Sequence, residues 1–212
     1  MKEHCRPANR CSVNPSGTSR RRPQCIVIAG PNGVGKSTYS RDSFKSGFLV
    51  LDPDRFGMTA SLQEPVAGGR AVIARVRRAL DLREEFVLET TLSGRFPIKT
   101  LRAARAAGYE IMLVYIGIDD PNECVRRVAR RVREGGHHVP EADIRWRYVR
   151  SINALPAAVI YADRLMILSN ATDAPYRQVV VVGEFPGHVS ISPSVPRWAA
   201  SAALAALRKA KS

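Results

Sequence analysis

Three features of the sequence predict a three-layer α/β fold built on a parallel sheet. Short apolar, β-branched runs alternate with stretches of helical periodicity along most of the chain. The first run, Cys25-Ile26-Val27-Ile28-Ala29, passes directly into a glycine-rich turn, Gly30 to Gly35, and then into a stretch that reads as helix. The second and third runs, Phe48-Leu49-Val50-Leu51 and Phe86-Val87-Leu88, end in acidic residues, Asp52-Pro53-Asp54 and Glu89. Acids at the carboxyl ends of parallel strands face the ligand crevice of an open α/β sheet.

Taken in order, the helix after the glycine turn is expected from Ser37 to about Ser46, with Gly47 as its terminator. Pro53 keeps the chain extended after the second strand and holds Asp52 and Asp54 out of a helix. Val72, Val76 and Ala79 recur at helical spacing within a helix predicted over 65–83. After the third strand, a helix is predicted from Pro97 to Ala107 with Gly108 as its stop. Ile111 to Ile116 reads as a strand covered on both faces, because it is almost wholly apolar. Asp119, Asp120 and Pro121 open the next helix with an acidic cap and a first-turn proline, and Gly135 and Gly136 close it. Pro140-Glu141 starts another, whose inner stripe is Ile144, Tyr148, Ile152 and Leu155. Leu165 to Leu168 is a fifth strand, 178–182 and 189–191 a terminal hairpin or sheet extension, and 196–210 a final Ala-rich helix. No internal repeat is visible.

The turn Gly30-Pro31-Asn32-Gly33-Val34-Gly35-Lys36-Ser37-Thr38 fits the P-loop pattern G-x-x-x-x-G-K-[ST] in its required context, strand before and helix after. A polyphosphate needs many donors converging on a small volume, and backbone N–H groups supply them only where side chains do not obstruct. Lys36 is expected to reach the terminal phosphates and Ser37 to place its hydroxyl on Mg²⁺. A purely structural glycine turn would need neither residue in register, so the loop reads as a nucleotide site.

Composition narrows the setting. A chain of 212 residues, 45% hydrophobic, favours one domain over two. No run approaches the roughly 18 apolar residues of a membrane span. Residues 1–24 carry five arginines without an apolar signal core, so they read as a disordered basic leader before a domain over 25–212. Cys5, Cys11, Cys25 and Cys124 include no C-x-x-C pair, which favours a reducing cytoplasm over a disulfide framework. The net charge of +14 calls for an anionic partner without saying which.

Arginines crowd two predicted helices, with Arg126, Arg127, Arg130, Arg131 and Arg133 on the first and Arg145, Arg147 and Arg150 on the second, joined by Gly135-Gly136-His137-His138. Like charges four residues apart cost about 0.2–0.5 kcal/mol each, and the chain carries that cost more than once. A solvated charged face explains any single arginine. The group as a whole reads as a lid that closes guanidinium groups over a triphosphate. The two histidines offer no metal geometry without a third partner.

These residues together resemble a known family. The strand and acid arrangement is similar to the nucleotide-kinase branch of P-loop proteins, which implies a five-stranded parallel sheet in the order 2-3-1-4-5, a helical lid over about 122–153 and a small C-terminal extension. The strings Ala29 to Thr38, Glu89-Thr90-Thr91-Leu92-Ser93-Gly94 and Gly135 to Ser151 resemble the short branch of the zeta-toxin family, often labelled predicted ATPases, over about residues 25–200. Zeta toxins phosphorylate a sugar hydroxyl of UDP-N-acetylglucosamine, and many are paired with an antitoxin protein. The resemblance therefore implies an ATP- and Mg²⁺-dependent small-molecule kinase. It assigns Lys36 to the phosphates, Ser37 to the metal and Asp54 to the general base. Asp52 either supports that base or anchors magnesium through water. Glu89, with Thr90 beside it, either positions the acceptor or holds the metal through water. Arg131, with Arg145 or Arg147, is assigned to the ATP phosphates, although Trp146 stands where the short branch carries a third consecutive arginine. The alternative class is a nucleic-acid-dependent ATPase or polynucleotide 5′-kinase, favoured by the net charge and opposed by an aromatic content of 7% with no recognisable nucleic-acid module.

Overall fold

The structure is a computed structural model, and it describes residues 21–44, 48–52, 65–171 and 175–212. The first five strands are β1 (Gln24–Ala29), β2 (Leu49–Leu51), β3 (Phe86–Thr90), β4 (Glu110–Gly117) and β5 (Arg164–Ser169). They pair in parallel in the order β2-β3-β1-β4-β5, as the kinase-like resemblance implied. β6 (Arg177–Val182) and β7 (Val189–Ile191) continue the same sheet with antiparallel pairing, which makes seven strands among the described residues. The expected terminal hairpin is therefore an extension of the main sheet. Antiparallel addition needs no crossover, so it can follow β5 after a short connection.

Helices cover both faces. Alternate residues of β1 explain why: Cys25, Val27 and Ala29 join one core cluster, while Ile26 and Ile28 join the other. The first cluster holds α2 (Pro65–Leu82), α3 (Arg95–Ala106) and α6 (Ala200–Ala210) through Val72, Val76, Leu101, Ala104 and Ala206. The second holds the loop residue Val34 with Cys124 and Val128 of α4 (Pro121–Arg133). Helix α5 (Glu141–Val159) serves both, contributing Ile144 and Tyr148 to the second cluster and Leu155 and Ala158 to the first.

Some boundaries differ from expectation. α3 starts at Arg95, two residues before the predicted Pro97, because a proline in the first turn forfeits no helical hydrogen bond. α1 (Lys36–Ser43) is shorter than predicted, and the expected stop at Gly47 lies outside the described residues. The final helix begins as a 3₁₀ turn, Arg197–Ala199, whose Trp198 packs against Tyr115 at 5.8 Å between ring centroids. No described helix is long and apolar enough to cross a membrane.

Candidate nucleotide and phosphoryl-transfer site

The site forms where β1, β2 and β3 end together. Parallel pairing sets Ala29 opposite Thr90 and Leu51 opposite Leu88, so Asp52 and Glu89 follow at the same level on adjacent strands. Gly30 N–H donates to Thr90 O at 3.2 Å and ties the start of the glycine loop to the end of β3. Both acids are almost wholly buried. Two carboxylates withdrawn from water side by side favour a cation between or beside them.

The loop meets those acids through α1. Ser37, in the first turn of α1, donates its hydroxyl to Glu89 Oε2 at 2.8 Å. Lys36 Nζ donates to Gly30 O and Pro31 O at 2.8 and 2.9 Å, so it folds back across the loop. Gly35 has φ +93°, and a Cβ there would lie 2.7 Å from both Asn170 Nδ2 and the Tyr176 hydroxyl. Those two side chains press on the loop from a distant segment. Asn170 Nδ2 donates to Val34 O and the Tyr176 hydroxyl to Gly35 O, each at 2.9 Å. With their carbonyls occupied, Val34 and Gly35 keep the loop's curl fixed.

A cavity of about 580 Å³ lies above the loop. Asn32, Gly33, Gly35, Lys36, Ser37 and Thr38 line its floor, with Asp52, Glu89 and Thr90 along one wall. Of the remaining predicted loop residues, Gly30 and Pro31 hold Lys36 through their carbonyls, and Val34 is buried in the core beneath. Asp54 lies outside the described residues.

The arginine-bearing helices supply further lining, and their arginines divide. Arg131 and Arg147 line the cavity, as do Arg127 and Arg130. Arg131 Nη2 donates to His137 O at 2.8 Å, while its buried Nε has no partner among the described residues. Gly136 permits this: a Cβ there would lie 2.6 Å from Arg131 Cγ. Arg145 goes elsewhere, donating to Glu141 and to Asn122 Oδ1 at 2.8 Å each, and it does not line the cavity. Arg126 does not line the cavity either; it pairs with Asp120 and with Glu123, which does. Arg127, backed by Arg126, holds the Glu123 carboxyl below its ordinary range by hydrogen bonding.

Asn170, Arg127 and Tyr176 are among the lining residues not singled out from the sequence. Asn170 directly follows β5, at the carboxyl end where ligand residues gather, so strand-end logic could have found it. Arg127 was noted only as part of the crowd. Tyr176 carries no sequence signal; its ring packs tilted against Tyr39 of α1 at 5.5 Å between centroids. Among the described residues no cluster of three His, Cys, Asp or Glu could hold a metal ion. The Ser37–Glu89 pair still suits Mg²⁺, which keeps several waters and relies on one or two protein groups plus substrate phosphates.

Residues 25–148 match the family described as AAA domain. The chain belongs to the AAA domain family. The matched span of this AAA-domain chain runs from β1 into α5 and so contains the loop, both acids and Arg131. An uncharacterized protein of Haemophilus influenzae is 32% identical over 129 residues, which cover 59% of this chain and 92% of that protein. Among solved structures, that of the PezAT chromosomal toxin–antitoxin system of Streptococcus pneumoniae is similar with a TM-score of 0.55 at 20% identity, over 76% of this chain and 71% of that one. The AvrRxo1-ORF1:-ORF2 structure with ATP is similar with a TM-score of 0.56 at 14% identity, over 89% of this chain and 64% of that one. At these identities the structural likenesses establish the fold: an α/β P-loop protein with a mostly parallel sheet.

Proposed function

We propose that this chain is an ATP-dependent, Mg²⁺-requiring small-molecule kinase of the zeta-toxin type. The observation that carries the reading is that two groups of residues line one cavity: a phosphate loop with Ser37 on Glu89, and arginines that include Arg131 and Arg147. Nucleotide phosphates would lie on the loop amides, with Lys36 released from its two carbonyls to the terminal phosphate. Mg²⁺, held by the Ser37 hydroxyl and phosphate oxygens with Glu89 behind, would neutralise charge on those oxygens. Asp54 would accept the proton of an acceptor hydroxyl, with Asp52 buried beside it in sequence. Arg131 and Arg147 would meet the charge that spreads over the transferring phosphoryl. UDP-N-acetylglucosamine is the first acceptor to test, and likeness to a toxin–antitoxin structure supports an antitoxin as a partner. The buried free thiols of Cys25 and Cys124 suit a reducing cytoplasm.

Incubation with labelled ATP and a metabolite panel containing UDP-N-acetylglucosamine tests this reading. Asp54→Ala should keep ATP binding and lose transfer; unchanged transfer removes Asp54 as the base. The net charge of +14 favours a second reading, a polynucleotide 5′-kinase or nucleic-acid-dependent ATPase. A salt titration of nucleic-acid binding decides it, since a log-log slope near zero would eliminate released counterions.

A further inference from the structure

A second cavity, of about 520 Å³, is lined by Arg95, Lys99 and Ile98 of α3 and by Arg150, Asn153 and Ala154 of α5. No acidic residue is among its described lining, whereas Asp52, Glu89, Glu123 and Glu134 all line the nucleotide cavity. Its cations also lack counter-charges. On the same helix Arg145 pairs with Glu141 and Arg147 with Asp143, but Arg95, Lys99 and Arg150 make no ion pair among the described residues. All three are exposed, so a ligand from solvent can reach them. Arg150 is held in place as well: its Nε donates to Ser93 O at 2.8 Å, and its guanidinium carbon lies 4.6 Å from the centre of the Trp146 ring. Its Nη donors have no hydrogen-bond partner among the described residues. Three like charges gathered around one cavity repel each other unless an anion joins them.

The volume is that of a small-molecule site, and the charge says which kind. A carboxylate would offset only one of the three cations. A phosphate or diphosphate offsets more of them, and its oxygens suit guanidinium groups, which bond them in pairs. Ile98 and Ala154 offer apolar surface to the rest of such a molecule. We propose that this cavity binds a phosphate-bearing small molecule, with Arg95, Lys99 and Arg150 on its phosphate oxygens. The site adjoins the nucleotide cavity: Thr91 lines the first and Ser93 the second, and their hydroxyls are hydrogen-bonded at 2.8 Å. The phosphate therefore has two sources, an acceptor that spans both cavities or a separate ligand. Only the first source rests on the kinase reading above; the site itself rests on its own charges.

Inorganic pyrophosphate is the probe, titrated into the full-length protein in Mg²⁺-free buffer of fixed ionic strength, with a non-hydrolysable ATP analogue filling the nucleotide cavity. Trp146 emission reports binding because Arg150 lies against its ring, and Trp146→Phe identifies that signal against the buried Trp198. A saturable change is expected. Arg95→Gln and Lys99→Gln should each weaken it about 5- to 30-fold, the scale of losing one charge-assisted contact at an exposed site. Arg102→Gln makes the same charge change on α3 outside the cavity lining and should stay within about twofold. Absence of a saturable change, or equal weakening by Arg102→Gln, overturns the site, the latter because diffuse charge would then account for binding. A single-stranded oligonucleotide that displaces pyrophosphate at a lower phosphate concentration than pyrophosphate itself overturns the small-molecule reading in favour of nucleic acid. Transfer assays separate the two sources. A raised KM for a phosphate-bearing acceptor with kcat kept, in Arg95→Gln and Lys99→Gln, places the phosphate on the acceptor; an unchanged KM assigns it to a separate ligand. Wild-type protein that neither transfers phosphate nor hydrolyses ATP overturns the kinase reading and leaves the pyrophosphate result standing.

Discussion

The two walls of the cavity are built on different physics. The glycine loop is held by backbone: its curl is closed by bonds from Thr90, Asn170 and Tyr176, its apolar Val34 is sunk in the core, and its side chains are mostly buried. The arginine wall is held by side chains at or near the surface. Arg145 and Arg126 are both substantially exposed and turn to local carboxylates, while Arg131 is drawn inward by the His137 carbonyl. A backbone curl bonded to three separate segments is rigid before any ligand arrives. Guanidinium groups on long stems choose among partners of nearly equal energy, because exposed pairs contribute only about 0–1 kcal/mol. A phosphate site can thus be preformed on one wall and leave the other to be decided by contacts that a ligand could replace.

The contrast can be broken experimentally. The largest effect should come from Lys36→Ala, which removes the loop's cation: nucleotide affinity and turnover should both fall, by about 100-fold or more, the scale of losing a main electrostatic contact to the reacting group. Normal turnover in that variant, read with labelled ATP, would refute the P-loop assignment. Among the arginines, Arg131→Ala should lower turnover about 10-fold or more with nucleotide binding less affected, whereas Arg145→Ala should leave both within about twofold, as expected for an exposed pair engaged elsewhere. Equal losses in the two variants would mean that the arginines regroup on binding, and would erase the distinction drawn between them. Smaller in catalytic terms is Gly35→Ala. Its positive φ and its contact with Asn170 and Tyr176 should cost about 1–3 kcal/mol of unfolding free energy. An unchanged denaturant midpoint would show that the clamp on the loop is loose.

The legibility of the chain follows the same division. The five parallel strands were readable because each is a short run of apolar residues buried on both faces, and the glycine loop because its chemistry demands a fixed local spacing. Their order was implied only by resemblance, and the antiparallel attachment of β6 and β7 had been left open as hairpin or extension. Within the cavity, Asp52 and Glu89 were flagged by their places at strand ends, and parallel register sets them at one level. Arg127, Asn170 and Tyr176 were not singled out, because what they do depends on segments separated from the loop by about 90 to 140 residues.

The sequence by itself determined the sheet, the phosphate loop and the acids beside it, since hydrophobic period, glycine placement and strand ends are local properties. Which arginines face the cavity, and which side chain of the loop lacks a partner, were decided only by tertiary structure. Both depend on neighbouring segments: Arg131 faces inward because Gly136 and His137 make room and accept its bond, and Asn32 Oδ1 is unsatisfied because the fold buries it without a donor among the described residues.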